Sequence, residues 1–388
     1  MEKIFAIKQE LDRQSGTSLK TLSNFYGIKD LAGGDEKWML AIEISKRKRG
    51  TLNQAIKEID FEEYFESIQK LGEGGYGRVD KCKAKKDFGA VNKGDIVAIK
   101  VMPRDRVGIK VNQSNDEMSK EVETLMELSN APACRETIVC YYGHFTTADP
   151  NAKYGIIMQL VDGVGMNDFV YSDLTDYTAR EIWNLMLAMA KTLKTIHDAG
   201  IAHKDLKTEN IIIQTTPTLR PVFIDFGLAC LGDTNHAFSC EPDGKGTLTY
   251  FSPERISQMS SATFDIYKAA DMWALGNIFH ELVFSGYMPT PMEDVINQAT
   301  KDNSIVPLKF MGGVKALFAS LKSSNSLFDK TNYQPFGGCV FEDPIDCDLA
   351  LTLLEDMLII DYKKRATADD VIIALTAIIS NLPPDPVG

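Results

Sequence analysis

Between Phe65 and Leu160 the apolar residues fall in short runs bordered by Gly, Asn and Asp: Phe65 to Leu71, Val79 to Lys83, Ile96 to Met102, Ile138 to Tyr142 and Tyr154 to Leu160. Runs of this length with such borders predict strands of a small antiparallel sheet. One stretch breaks the rhythm. Glu121, Leu125 and Leu128 share a face at i, i+4 and i+7, which predicts a single helix among the strands. Past residue 163 the spacing turns helical. Ile182, Leu185, Met186, Met189, Leu193 and Ile196 form a stripe of helical period, and Ala269 to Phe284 is apolar almost all round, as a buried central helix requires. Thr367-x-x-Asp370 reads as a capping box opening a last helix through Ile379, which Pro383-Pro384 cannot continue. Residues 290–345 hold Ser and Gly clusters without strong periodicity, so loops and short helices are expected there. The pattern divides the chain into an extension of unknown role (1–63), a strand-rich part (64–160), a mainly helical part (161–382) and a tail (383–388). The expected fold class is α+β.

The 388 residues carry 42 Lys+Arg against 54 Asp+Glu, a net charge of −12, which argues against gripping nucleic acid by bulk electrostatics. No nucleic-acid partner is expected. No run approaches the roughly 18 apolar residues of a membrane span, and Met1-Glu2-Lys3-Ile4 lacks the features of a signal peptide. The seven cysteines form no C-x-x-C pair and are odd in number, so the reading is reduced thiols, with neither a zinc site nor a disulfide framework. The expected compartment is the cytoplasm, with Lys46-Arg47-Lys48-Arg49 as a weak signal for nuclear import. Oligomeric state leaves no mark in the sequence.

Candidate chemistry sits in four places. Leu71-Gly72-Glu73-Gly74-Gly75-Tyr76-Gly77-Arg78-Val79 fits G-x-G-x-x-G-x-V, whose glycines let a strand-to-strand turn approach phosphate oxygens. A dinucleotide fingerprint would need a helix straight after the glycines, and the residues after Gly77 are β-like. In Val97-Ala98-Ile99-Lys100 a lysine ends an apolar strand, where burial demands an anionic partner. Glu121 fills that need better than Glu123, which lies off the Leu125/Leu128 face. His203-Lys204-Asp205-Leu206-Lys207-Thr208-Glu209-Asn210 comes after a helix ending in Ala199-Gly200. Here Asp205 suits a hydroxyl proton, Lys207 a transferring phosphoryl group, and Asn210 a divalent cation. Phe223-Ile224-Asp225-Phe226-Gly227 adds a carboxylate at a strand end, a second ligand for magnesium.

Taken together these motifs resemble the eukaryotic-type serine/threonine protein kinase family, whose signature set they reproduce in order and spacing. The resemblance runs from about Tyr64 to Leu382 and includes Gly246 to Glu254, Asp271 to Gly276 and Asp361 to Arg365. It implies a bilobal fold, a small antiparallel sheet lobe with one helix beside a larger helical lobe, with ATP in the cleft and Mg²⁺ on Asn210 and Asp225. It further implies Asp205, Lys207, Lys100 and Glu121 as catalytic residues, Met158 as gatekeeper, and Gln159, Leu160 and Val161 as hinge. Val79, Ala98 and Ile212 would sandwich adenine, Gly72, Gly74 and Gly77 would approach the phosphates, and Leu71 would join them in the cofactor-binding set. Glu254 and Arg365 resemble a buried structural ion pair, and Asp271 an anchor of the catalytic loop. The expected partner is a protein bearing a Ser or Thr acceptor. The alternative is a catalytically weak or inactive kinase-like scaffold that binds nucleotide or a partner, although such a scaffold has no chemical need for all of Lys100, Glu121, Asp205, Asn210 and Asp225. Lys204 stands where the family carries arginine, so a guanidinium is replaced by a point charge. Thr234 and Ser239 are candidate phosphoacceptors, and Glu241 and Asp243 candidate acidic partners for Lys204.

Overall fold

The structure is a computed structural model that describes residues 57–383, apart from 75–76, 104–110, 130–135, 148–152, 173, 175, 233–239, 241–243, 258–262, 302–303 and 322–325. Lys46 to Arg49, Gly75, Tyr76, Thr234, Ser239, Glu241 and Asp243 lie outside the described residues.

Six strands build the first lobe: β1 (Lys57–Ile59), β2 (Phe65–Gly74), β3 (Gly77–Ala84), β4 (Ile96–Pro103), β5 (Tyr141–Thr147) and β6 (Lys153–Gln159), in the order β1-β5-β6-β4-β3-β2. All neighbours are antiparallel except β1, which runs parallel to β5 and pairs Lys57 with Phe145. A one-turn helix, α1 (Phe61–Tyr64), capped by Asp60, links β1 to β2, so the sheet reaches back into the stretch that carries no nameable chemistry. Under the sheet Phe65, Phe145 and Phe88 pack with Ile99 and Ile157. Gly155 sits in mid-strand because a Cβ there would lie 2.1 Å from the Phe145 ring.

One expected strand is displaced. Ile138, Val139 and Cys140 are buried, but Ile138 bridges to Phe223 of the other lobe and Val139 N–H donates to the Phe223 carbonyl. The ladder with β6 begins only at Tyr141. The run is apolar because it joins the lobes, not because it fills the sheet. Between the strands lies α2 (Val111–Ser129), whose Val122, Leu125 and Leu128 face the core shared with Ile156 and Met158.

The second lobe is helical: α3 (Met166–Phe169), α4 (Ala179–Asp198), α5 (Pro253–Ser257), α6 (Phe264–Val283), α7 (Thr290–Ala299), α8 (Pro307–Ser320), α9 (Pro344–Met357) and α10 (Ala368–Asn381). The α4 stripe is buried throughout, and Thr178 with Glu181 closes a capping box at its start. From Ala270 to Val283 every residue of α6 is buried. The capping box of Thr367 and Asp370 opens α10 as expected. Residues 290–345 are more helical than expected: Gly312-Gly313 conceals the apolar face of Phe310, Val314 and Phe318 on α8. Short strands position the chemistry: β7 (Val164–Gly165), β8 (Ile201–Ala202), β9 (Ile211–Gln214), β10 (Arg220–Phe223) and β11 (Cys230–Leu231).

The cysteines correct the expectation of reduced thiols. Cys230 is bonded to Cys240 and Cys339 to Cys347, Cys140 is also disulfide-bonded, and Cys82 is a buried free thiol. Both identified pairs are close in sequence, ten and eight residues apart.

Candidate active site

The hairpin β2–β3 brings Leu71, Gly72, Gly74, Gly77 and Val79 to the rim of the cleft, with Gly74 paired to Gly77 and Gly72 to Val79. Gly77 has φ +146°, and a Cβ there would lie 2.5 Å from the Val101 carbonyl oxygen, so only glycine fits beside β4. In the same sheet Val79 pairs with Lys100, and Ala98 with Met158. Met158 is buried, while Gln159, Leu160 and Val161 are half-buried where the chain crosses between lobes. Gln159 N–H donates to the Cys140 carbonyl at 2.9 Å, fixing this crossing. Ile212, half-buried on β9, pairs with Gly165 and Val222 in the second lobe.

Lys100 lies 5% exposed and Glu121 3%. The Lys100 ammonium donates to both Glu121 oxygens, at 2.7 and 2.9 Å, and to Asp225 Oδ1 at 3.1 Å. Burial works against the Lys100 charge, but the two carboxylates more than offset it and raise its pKa above the ordinary range. Burial also pushes the Asp225 carboxyl up, yet Lys100 and the Gly227 N–H, 3.0 Å away, bring it down to about 2. Asp225 keeps 40% of its side chain exposed. It is therefore an ionised oxygen donor that faces solvent and is steered from behind by a lysine.

Across from this trio stands the loop after β8. Its backbone is anchored by α6: Asp271 accepts from His203 N–H at 2.7 Å and Lys204 N–H at 2.9 Å, and His197 Nε2 lies 3.1 Å from the same carboxylate. These bonds hold Lys204 at φ +67°, a turn that L-residues rarely adopt. Burial pushes the His203 imidazole down, and its ring lies 5.0 Å from that of Phe226. Beyond the turn Asp205 Oδ1 accepts from the N–H and the hydroxyl of Thr247, both at 2.8 Å. Lys207 Nζ donates to Thr247 Oγ1 at 3.0 Å and lies 3.6 Å from Asp205 Oδ2. Asn210 donates its amide nitrogen to the Asp205 carbonyl at 2.7 Å, and its own carbonyl accepts from Ile224 N–H at 3.0 Å, beside Asp225.

Two parts of the surroundings escaped the sequence reading. Lys204 places its ammonium 4.6 Å from the centre of the Tyr267 ring, and Arg255 donates to the Lys204 carbonyl at 2.6 Å. A guanidinium thus stands near the catalytic loop although the family's arginine position is lysine. Tyr250 donates to Glu281 at 2.7 Å and lies 3.2 Å from the Thr208 hydroxyl, tying the segment after Thr247 to α6 and to the catalytic loop. Tyr250 lay within the segment singled out, but its partner is 31 residues away on a helix that reads as plain core. Farther off, Arg365 grips Glu254 through two bonds of 2.6 and 2.8 Å.

For a divalent cation the donor set on offer is the Asp225 carboxylate and the Asn210 amide oxygen. No cluster of three or more His, Cys, Asp or Glu side chains suited to a metal occurs among the described residues. Few, hard oxygen donors fit Mg²⁺, which keeps waters and substrate phosphates in its shell, and do not fit zinc.

Among curated proteins, the chain is 27% identical to maternal embryonic leucine zipper kinase of Xenopus tropicalis over 245 residues, which are 61% of this chain and 33% of that kinase. It is 27% identical to cyclin-dependent kinase G-2 of Oryza sativa subsp. indica over 324 residues, 79% of this chain and 40% of that one. To MAP kinase kinase MKK1/SSP32 of Saccharomyces cerevisiae it is 29% identical over 243 residues, 61% of this chain and 42% of the relative. The chain thus spans less than half the length of each of these relatives. No helix among the described residues is long and apolar enough to cross a membrane. The protein kinase domain model matches residues 65–374, from the first residue of β2 into α10, and its two-lobed architecture is the one built here strand by strand: the chain belongs to the protein kinase family.

Proposed function

We propose that the chain is a catalytically competent serine/threonine protein kinase that transfers the γ-phosphoryl group of ATP to a protein hydroxyl. The observation that carries this reading is the bonding of Asp205, Lys207 and Thr247 to one another, opposite an intact Lys100–Glu121–Asp225 trio. Val79 and Ala98 from one lobe and Ile212 from the other supply the apolar walls for adenine, and the hinge backbone from Gln159 to Val161 supplies polar partners at its edge. Lys100, held in place by Glu121, meets phosphate oxygens. Asn210 and Asp225 hold Mg²⁺, which when present neutralises phosphate charge and orients the transferring group. Asp205 orients the acceptor hydroxyl and takes its proton, and the Lys207 ammonium offsets the negative charge developing on the phosphoryl oxygens. The Lys207–Thr247 pair supports serine/threonine selectivity, since these are the residue types that resemble that branch of the family.

Incubation with radiolabelled ATP, Mg²⁺ and a protein mixture, followed by phosphoamino acid analysis, tests each part. Label on serine and threonine is expected, falling by about 10²–10⁴-fold in Asp205→Asn. Label on tyrosine alone would end the selectivity claim. No difference between wild type and Asp205→Asn would leave the scaffold reading.

A further inference from the structure

Cys230 and Cys240 lie between the Asp225–Gly227 turn and the Gly246–Glu254 segment, and nothing in the phosphoryl transfer proposed above uses them. Their Cα atoms are 4.9 Å apart, a separation suited to a disulfide. Around them the backbone is bonded across a narrow strip. Strand β11 pairs with β8, Cys230 with Ala202 and Leu231 with Ile201. Cys240 N–H donates to the Leu231 carbonyl at 3.1 Å, and Gly232 N–H to the Gly200 carbonyl at 2.8 Å. Cys230 is buried with Ala202, Ile266 and Tyr267, whereas Cys240 is half-buried at the edge of that cluster. Tyr267 is the ring that receives the Lys204 ammonium, and Ala202 directly precedes the His203–Asp205 turn. The sulfurs therefore lean on the ring and the strand that carry the catalytic loop.

We propose that Cys230 and Cys240 are a reversible redox modification site, and that their disulfide clamps the chain at Cys240 against strand β11, which in turn pairs with β8. The structure that holds this bond also has Lys100 on Glu121 and Asp225, and Asp205 on Thr247, so the oxidised state is taken as the one assembled for transfer. Reduction uses a dithiol. Its thiolate attacks the Sγ of Cys240, the less buried of the two residues, the Cys240–Cys230 bond breaks, and Cys230 leaves as a thiolate that takes a proton. The second thiol of the reagent then displaces Cys240 as a thiol and closes the reagent's own disulfide. A disulfide oxidant such as glutathione disulfide reverses both steps and leaves as two thiols. Two other sets of sulfurs serve as internal contrasts. Cys339 precedes α9 and Cys347 lies in its first turn, and both pack against the main core cluster rather than the one that holds Cys230 and Cys240. Cys82 is buried, which pushes its thiol up to about 12 and keeps it unreactive.

The test uses the full chain equilibrated with dithiothreitol or with glutathione disulfide, read three ways: thiol labelling by mass, amide exchange at Gly232 and Cys240, and phosphoryl transfer. Reduction is expected to free the thiols of Cys230 and Cys240 and to speed exchange at those two amides by up to about 100-fold, the loop-closure effect for a loop of this length. Transfer falls, and glutathione disulfide restores it. The Cys230→Ser/Cys240→Ser variant should behave as the reduced protein under both conditions, while Cys339→Ser/Cys347→Ser keeps the full response. Unchanged exchange on reduction, equal transfer in both states of an active enzyme, or a redox response that survives in Cys230→Ser/Cys240→Ser would each overturn the proposal. The activity readout rests on the kinase reading above and the exchange readout does not. A chain silent in both states whose exchange still responds would support the clamp and overturn the activity.

Discussion

At Lys100 a single ammonium serves two carboxylates of different character. Glu121 is enclosed and receives both of its bonds, whereas Asp225 shares one oxygen and leaves the rest of the group open to the cleft. The first is an enclosed structural partner and the second, under the proposed function, the metal ligand, which gives their variants different signatures. Lys100→Met should lower transfer by about 10²–10³-fold, as expected when one preorganised electrostatic group is lost. It should also cost about 3–5 kcal/mol of stability by stranding Glu121, measured by urea unfolding. For Asp225 the sign comes from its lowered pKa. The carboxylate contributes stability above its ordinary 3.8, and that contribution is lost as pH falls toward about 2. Asp225→Asn lacks it throughout. The gap in thermal midpoint between wild type and Asp225→Asn should therefore narrow as pH falls through that window; a gap that stays constant would show that the ionised form is not what the fold stabilises.

Helix α6 shows what an element adds that its residues do not. Its apolar run was legible because almost every position is a core residue; within it the family resemblance pointed to Asp271, while Glu281 stayed concealed. Asp271 faces the catalytic loop and accepts its backbone N–H groups. Glu281, farther along and also buried, accepts from Tyr250. Burial pushes the Glu281 carboxyl up, the Tyr250 hydroxyl pulls it partly back, and the charges of Glu209 and Glu293 add to the rise, giving about 8. A raised carboxyl stabilises the fold below its unfolded value near 4.5, and that contribution is lost as pH climbs through about 8. Glu281→Gln keeps an oxygen for Tyr250 and removes the titration. Its thermal midpoint relative to wild type should rise steadily between those pH values, and a flat difference would show that Glu281 is ionised throughout. Elsewhere, an element was legible when its signal was local. The glycine-bordered hairpin and the capping box of Thr367 and Asp370 needed no distant partner, whereas α9 hid behind an Asp343-Pro344 start that looked like one more loop. The strand expected at Ile138 failed for the opposite reason: its apolar residues answer to Phe223 in the other lobe.

Across the whole molecule the order of motifs was legible and their contacts were not, because a contact between distant positions has no periodicity. Sequence spacing picked Glu121 over Glu123 for Lys100 by helix geometry, a short-range argument that the buried pair bears out. The hold of Tyr250 on Glu281, the stacking of Lys204 on Tyr267 and the cysteine pairs all depend on how helices and strands dock. Arg365 is the clearest long-range tie: it reaches Glu254, 111 residues earlier, and also donates to the carbonyls of Ile359 and Ala269. One side chain thus joins α5, α6 and the approach to α10, and its guanidinium lies 5.0 Å from the Trp273 ring, so the pair sits in a setting where an unpaired charge has no water to turn to. Arg365→Met should lose about 3–5 kcal/mol by leaving Glu254 buried without its cation. Adding Glu254→Leu removes the stranded charge and should recover part of that loss, but not all, because the Ile359 and Ala269 carbonyls still lose the Arg365 donor. Urea unfolding of the two single variants and the double variant measures the coupling directly. Additive losses, with no recovery in the double variant, would show that Arg365 acts through its backbone bonds alone and that the ion pair does not hold these helices together.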